Sequence, residues 1–474
     1  MPRPIRIPLL GNLHQLYFYD RQYTHKALTK LASVYGNNMK VWFGFVGSIV
    51  ISGYGRIQEV LRSDDWVGEQ DDVWVLDRTV SRGKRAVTEN ADSIRAWASA
   101  RMYTNQVLKE YDFGKDRSLD SLLRNSVSNL CGLVQYWKDK NNNKIEMKNF
   151  FQPFALSVNW SLVTGEVLTM EDSRIRELLK LIKTWEEITI ENSRYLSHWP
   201  ILSKWFPKQI GLDRLDEVNK KIRCFLQNLI EDHKAQREPF SSPKNLIDKF
   251  LSKIEEFGDV PDKKPHHLPF TETTLISVLF NIFCPSTLVL QSTLNFALLY
   301  ISKSAEVQER ILEEVQNVVG GQNITPSVDQ LHRMPYLTAV IVEIYRVANV
   351  IPMEKRKILK TVREGDTRVT QGMSLVFNYD SANFDPLLWK DPSSFRPDRF
   401  LDQNGKIINE NKVLAVVAAK RLCIGEIVSR PVLLHVISSL VQLFKFTNYA
   451  NDIVIRNPEF GIINKPSCYE IIVN

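Results

Sequence analysis

The segment Lys420-Arg421-Leu422-Cys423-Ile424-Gly425-Glu426 sets one thiol just ahead of a long apolar run, Ile427 to Phe446, that reads as a core helix. A Cys at a helix start faces free backbone N–H groups and the positive end of the helix dipole, and both favour thiolate over thiol. Arg421 lies two residues before it and Gly425 two residues after it. A shielded thiolate in that setting is a candidate metal ligand. The same stretch also describes a buried structural Cys beside a chance Arg. Arg223-Cys224 shows how readily such pairs arise.

Three further patterns separate these readings. Glu343-Ile-Tyr-Arg346, followed by Pro352, puts an acid and a base three apart on one helical face, where they can pair. Glu171/Arg174 and Glu191/Arg194 repeat that spacing, so it is weak alone. Phe395-Arg-Pro-Asp-Arg-Phe400 follows. Trp97-Ala-Ser-Ala-Arg101 pairs an indole and a guanidinium one turn apart. In this order, and with this spacing from the Glu-x-x-Arg helix to the thiol, the chain resembles the cytochrome P-450 family of heme-thiolate monooxygenases. The resemblance covers nearly the whole chain. It implies a mostly α fold with a minor β region, a large helical domain beside a small β-rich part formed by the N- and C-terminal regions.

Composition agrees with one large domain. The chain has 474 residues, and no Gly/Ser linker or low-complexity stretch divides it, so residues 1–474 are expected to form one unit. With 44% hydrophobic residues it can bury a sizeable core. A net charge of +7 is too small and too spread for a nucleic-acid protein, and no nucleic-acid motif appears; it leaves room for a basic patch facing an acidic partner or an anionic membrane. Five widely spaced cysteines without C-x-x-C argue against a disulfide framework or a zinc site, and fit a reducing cytosolic setting. Asn159-Trp-Ser161 and Asn323-Ile-Thr325 match the glycosylation triplet, a pattern common by chance.

The run Ile276 to Ile301 carries Asn281, Ser286, Gln291, Ser292 and Asn295, so it reads as a core helix and not as a membrane span. No signal peptide is expected at Met1. Residues 1–12, rich in proline, resemble the hinge that follows the membrane anchor of microsomal family members, with the anchor missing from this chain. Met39 to Phe43 and Ser48 to Ser52 predict a hairpin around Gly44-Phe-Val-Gly47. Helices are expected over Gly55 to Arg62, through most of Ser93 to Phe250, over Ser304 to Val319 with Ser304 as N-cap and Gly320-Gly321 as stop, and over Pro335 to Val347. Pro431 predicts a kink early in the helix after Cys423. The aromatic segment Tyr195 to Ile210, with Trp199, Trp205, Lys204 and Lys208, reads either as a loop dipping into a membrane interface or as core packing between helices.

The resemblance assigns roles. Cys423 Sγ would ligate the iron of heme b (iron protoporphyrin IX), giving a thiolate that pushes electron density toward bound oxygen. Trp97, Arg101, Lys357 and Arg421 would approach the heme carboxylates, and Glu343, Arg346 and Arg399 would form a buried structural network. Phe283, Leu288, Val289, Ile351, Met353, Phe460 and Ile462 fall in segments that line the family's substrate cavity, which implies a lipophilic steroid, terpenoid, fatty-acid or xenobiotic substrate. Electrons would come from an NADPH-dependent flavoprotein reductase docking on the basic side nearest Cys423. The protein would sit on the cytosolic face of the endoplasmic reticulum membrane.

The chain also departs from the family pattern. Where an acid and a Thr usually serve proton delivery, alignment through Phe296-Ala-Leu-Leu299 puts Leu288 and Val289, and neither can relay a proton. Val416 stands where a Phe usually packs on the sulfur, and Ala419 where Gly is usual. Pro285 is expected to kink the helix and free the Asn281 carbonyl, with Ser286 or Thr287, the catalytic candidates, holding a proton-relaying water. Three readings follow: a monooxygenase, a heme-thiolate isomerase or dehydratase that needs no electrons, and a helical interaction protein without cofactor.

Overall fold

Three helices that are buried on nearly every side occupy the centre: Gln152–Thr164, Pro285–Ser302 and Pro335–Ala348. A helix buried in this way is covered all round by the other elements, and its polar side chains need partners inside the core. The computed structural model describes residues 1–63, 66, 91–110, 117–199, 201–237, 243–258, 269–321, 326–358, 360–364, 367–414, 425–448, 455–456 and 463–474.

Along these residues run α1 (Leu13–Tyr19), α2 (Thr24–Tyr35), α3 (Tyr54–Arg62), α4 (Ala91–Glu110), α5 (Arg117–Lys140), α6 (Gln152–Thr164), α7 (Ser173–His198), α8 (Leu202–Trp205) and α9 (Leu212–Gln236). Then follow α10 (Leu246–Gly258), α11 (Glu272–Phe283), α12 (Pro285–Ser302), α13 (Ala305–Val319), α14 (Val328–Leu331), α15 (Pro335–Ala348), α16 (Asp380–Asn383) and α17 (Gly425–Leu443). Helix α12 packs on α6, α15 and α17, and α17 packs in turn on α5 and α13.

The β part is small. Strands β1 (Asn38–Phe43), β2 (Val46–Ile51), β7 (Ser374–Asn378) and β4 (Met353–Lys357) form one sheet in the order β1-β2-β7-β4, with β2 and β7 parallel. Strands β3 (Lys144–Glu146), β11 (Glu470–Val473) and β8 (Phe446–Thr447) form a second. Two-stranded pairs join β5 (Val362–Glu364) to β6 (Thr367–Val369) and β9 (Ile455–Arg456) to β10 (Lys465–Pro466). The mostly helical class with N- and C-terminal strands is as expected.

Local chemistry explains the boundaries. Ser304 Oγ accepts from the Val307 N–H (3.2 Å), and Gly320 ends α13 in the left-handed region (φ +78°). The hairpin turn is shorter than expected: Val46 and Gly47 belong to β2. Gly44 turns the chain at φ +59°, and a Cβ there would lie 2.5 Å from the His198 carbonyl oxygen. Helix α17 runs through Pro431 without a break, and stops at Leu443 instead of Phe446, which pairs in β8. The expected single helix over Ile276 to Ile301 is divided at Cys284 (φ −88°, ψ −75°). Pro285 therefore stands at the first position of α12, where its missing N–H costs nothing, and not inside a continuous helix.

Candidate functional site: the buried ion network and the divided helix

Helix α15 sets Glu343 and Arg346 one turn apart, both fully buried. Arg346 donates through Nε and Nη2 to the two carboxylate oxygens of Glu343 at 2.7 and 2.8 Å. Its Nη1 donates to the carbonyls of Asn383 (2.9 Å) and Pro392 (2.7 Å). Arg399, in the turn Pro397–Phe400, donates from Nε to Glu343 (3.1 Å) and from its other nitrogens to the carbonyls of Lys390 and Asp391. The Arg396 backbone N–H also donates to Glu343, at 2.8 Å. Burial holds the Arg399 guanidinium below its usual pKa, against the attraction of Glu343. Two guanidinium groups, one carboxylate and five backbone carbonyls, that of Ser394 shared by both arginines, satisfy one another, so loss of one member strands buried charge. The structure thus brings Glu343, Arg346 and Arg399 together.

The divided helix separates the two hydroxyl candidates. Val278, Asn281, Ile282, Pro285, Ser286 and Val289 recur at helical spacing as a half-buried face of α11 and α12. Ser286 is on that face. Thr287 is not: it is fully buried and its Oγ1 accepts from Asn159 Nδ2 of α6 at 2.9 Å. The two hydroxyls thus lie on different faces, because a rotation of about 100° per residue turns the second toward α6. Cys284 is also buried, and burial pushes its thiol pKa far up.

The predicted pocket residues divide in the same way. Val289 and Ile351 are half-buried, whereas Leu288 lies in the main core. Phe283 turns away from that face, fully buried with its ring 5.7 Å from Trp160 of α6. Met353 packs against the cluster formed by α2, β1 and β2, so it serves the sheet. Phe460 and Ile462 lie outside the described residues.

Cys423 and Arg421, with Val416 and Ala419, likewise lie outside them. The flanks are described. Arg430 of α17 pairs with Glu426 (2.9 Å) and with Glu410, joining the chain before residue 415 to the helix that starts at Gly425. Burial raises the Glu426 carboxyl pKa, opposed by Arg430. Trp97 and Arg101 are one turn apart on α4, Arg101 half-buried, and α4 packs on α17. Lys357 ends β4, half-buried opposite Ser374.

Residues 1–473 match the model of one family, Cytochrome P450. The chain belongs to the cytochrome P450 family. It is 28% identical over 477 residues to cytochrome P450 2G1 of Rattus norvegicus, spanning 99% of this chain and 92% of that one. It is 26% identical to cytochrome P450 2J2 of Homo sapiens, over 99% of this chain and 90% of that one. It is 25% identical to the farnesoate epoxidase of Bombyx mori, over 94% and 87% respectively. This P450 is accordingly an oxidoreductase of the monooxygenase class, and its family implies a heme-thiolate cofactor.

The described surroundings fit that group. The half-buried face of α11 and α12 offers apolar side chains, one amide and one hydroxyl, with no ionised group among them to meet a porphyrin plane. Arg101 and Lys357 are basic groups of half-buried character, suited to carboxylates.

Two functional candidates were invisible in the sequence. Asn159 appeared there only within a glycosylation triplet, but at 1% exposure it is a core donor to Thr287 and no glycan acceptor. Glu186 of α7 and Lys465 of β10, 279 residues apart, form an ion pair that no local spacing announces.

Proposed function

We propose that this P450 binds heme b through Cys423 and inserts one oxygen atom from O2 into a lipophilic substrate of steroid, terpenoid, fatty-acid or xenobiotic type. The observation that carries the reading is the half-buried face of α11 and α12 from Val278 to Val289, apolar there except for Asn281 and Ser286. The heme, when bound, supplies oxygen binding and its activation. Trp97, Arg101, Lys357 and Arg421 hold the heme carboxylates. Ser286 holds a water for proton delivery. Val289 and Ile351, with Leu288, Phe460 and Ile462, give the substrate apolar surroundings and keep bulk water away. Pro285, standing at the break, supplies the local opening.

An NADPH-dependent flavoprotein reductase supplies electrons at the basic side nearest Cys423. The membrane side lies elsewhere. Ile5, Leu9, Phe45, Ile201, Trp205 and Phe206 are exposed, Trp205 at 70%. Their segments are tied together: Trp199 Nε1 donates to the Leu9 carbonyl (2.9 Å) and the Phe45 N–H to the His198 carbonyl (2.9 Å). A joined apolar patch of this kind, with Arg3 and Arg6 beside it in the chain, supports seating on the cytosolic face of the endoplasmic reticulum membrane.

One feature favours a second reading. Leu288 replaces the usual acid and Thr287 turns to α6, so proton delivery rests on Ser286 alone. A heme-thiolate isomerase or dehydratase needs no such delivery, and turnover without any reductase would mark it.

The deciding experiment is the reduced carbon monoxide spectrum of the purified protein and of Cys423→Ser. The red-shifted thiolate band is expected in the first and not in the second. Identical spectra would remove the assignment.

A further inference from the structure

One half-buried ion pair joins α7 to β10, the strand that packs on α12. Glu186 is half-buried on α7, beside Trp185 (0% exposed) and one turn from Ile182 (0%), while Lys183, Thr184 and Glu187 face solvent. Its carboxylate thus sits on the edge of the inward face of α7, not on the solvated one. It pairs with Lys465, and the two side chains are 15% and 23% exposed. Lys465 follows Asn464, which is 2% exposed and doubly tied: its N–H donates to the Val350 carbonyl (2.7 Å) and its Nδ2 to the Asn349 carbonyl (2.8 Å). Lys465 is therefore held beside the turn that carries Ile351. Strand β10 also packs on α12, the helix that carries Ser286 and Val289.

A pair desolvated to this degree gains little stability over apolar packing of the same volume. The ammonium has three N–H donors, and among the described residues its partner is Glu186 alone. We propose, resting on the monooxygenase reading above, that Lys465 selects lipophilic substrates ending in a carboxylate. The head group binds the Lys465 ammonium, and the hydrocarbon chain lies along Ile351 and Val289. Glu186 holds the ammonium in place when the pocket is free of substrate and competes with the incoming anion. That competition gives the two residues opposite signs, which a simple structural tie between α7 and β10 would not.

The test is calorimetric titration of the holoenzyme with dodecanoic acid and with methyl dodecanoate, which share chain length and differ in charge. Wild type is expected to bind the acid about tenfold more tightly, as a charge-assisted contact implies. Lys465→Met is expected to abolish the preference while leaving the ester unchanged. Glu186→Gln, which keeps the shape and removes the competing charge, is expected to strengthen acid binding severalfold. Equal affinities for acid and ester in wild type would overturn the proposal. So would an equal loss of both ligands in both variants, since that pattern marks a purely structural tie. The heme-thiolate reading fails separately, by absence of the red-shifted carbon monoxide band in wild type, a result that does not depend on either ligand.

Discussion

The Glu343 network and the break at Cys284–Pro285 lie on packed neighbours, α15 and α12, and obey opposite rules. In the network, three ionised side chains are buried and each has a fixed set of partners, down to individual carbonyls. No substitution there is neutral, because any orphaned charge is costly. At the break, the groups are hydroxyls, an amide and aliphatics: Thr287 has a buried partner on α6, while Ser286 lies on the half-buried face. A frame of ionised groups with fixed partners thus lies beside a half-buried face, Val278 to Val289, that carries no ionised side chain.

The frame should break hardest. Arg346→Leu leaves Glu343 facing one guanidinium instead of two and strands the carbonyls of Asn383 and Pro392. A loss of about 3–5 kcal/mol is expected in denaturant unfolding. Unfolding within about 1 kcal/mol of wild type would show that the network is solvated and equivalent to surface pairs.

The break should respond less, and in two distinct ways. Thr287→Val leaves the Asn159 amide without its acceptor inside the core, so stability should fall by about 1–3 kcal/mol. Product formed per electron consumed should stay near the wild-type value, since that hydroxyl faces α6. Ser286→Ala should do the reverse: unfolding within about 0.5 kcal/mol of wild type, as usual for a site away from packed features, and a severalfold drop in coupling. Coupling lost in Thr287→Val and kept in Ser286→Ala would reverse the assignment of the two faces.

This contrast also explains what the sequence disclosed. Glu343 and Arg346 were open to pairing because a three-residue interval on a helix is visible in one dimension, but Glu171/Arg174 and Glu191/Arg194 share it, and Arg399 was reached only through the family resemblance. Ser304 and Gly320 were legible for a similar reason: cap chemistry is local. Phe283 was not. Its type suits a pocket or a core equally, and only the phase of α11 against α6 turns its ring to Trp160. The contact of Thr287 with Asn159 was hidden likewise, since a one-residue step in a helix changes the face by about 100°. The break itself was misplaced because a Pro can interrupt a helix from inside or begin one. Cys284, at the end of α11, settles that choice in three dimensions. Glu186 and Lys465 had no signal at all, because a pair formed across 279 residues follows from topology and not from spacing.

The finest test of the contrast lies within one turn of chain. Asp398 and Arg399 are neighbours, yet Arg399 points into the network while Asp398 faces outward and receives Arg310 at 2.7 and 3.0 Å. Arg310 and Asp398 side chains are 37% and 58% exposed, and the guanidinium lies 3.9 Å over the Tyr336 ring. Screening by water limits such a pair to less than about 1 kcal/mol, so Arg310→Met should cost no more than that. Its pH dependence has a definite sign. The hydrogen bond from Arg310 holds the Asp398 carboxyl below its ordinary value of 3.8, against burial that raises it. A carboxylate with a lowered folded pKa lends stability above its unfolded pKa and loses it as pH falls through the folded one. The gap between wild type and Arg310→Met should therefore be flat from neutral pH down to that ordinary value, and close only in stronger acid. What remains at the acid end measures the packing of the Arg310 stem on Tyr336, because methionine replaces only part of that contact. A gap that instead widened on acidification would mean that Asp398 is protonated in the folded state, and that the outward neighbour of Arg399 is as tightly constrained as the inward one.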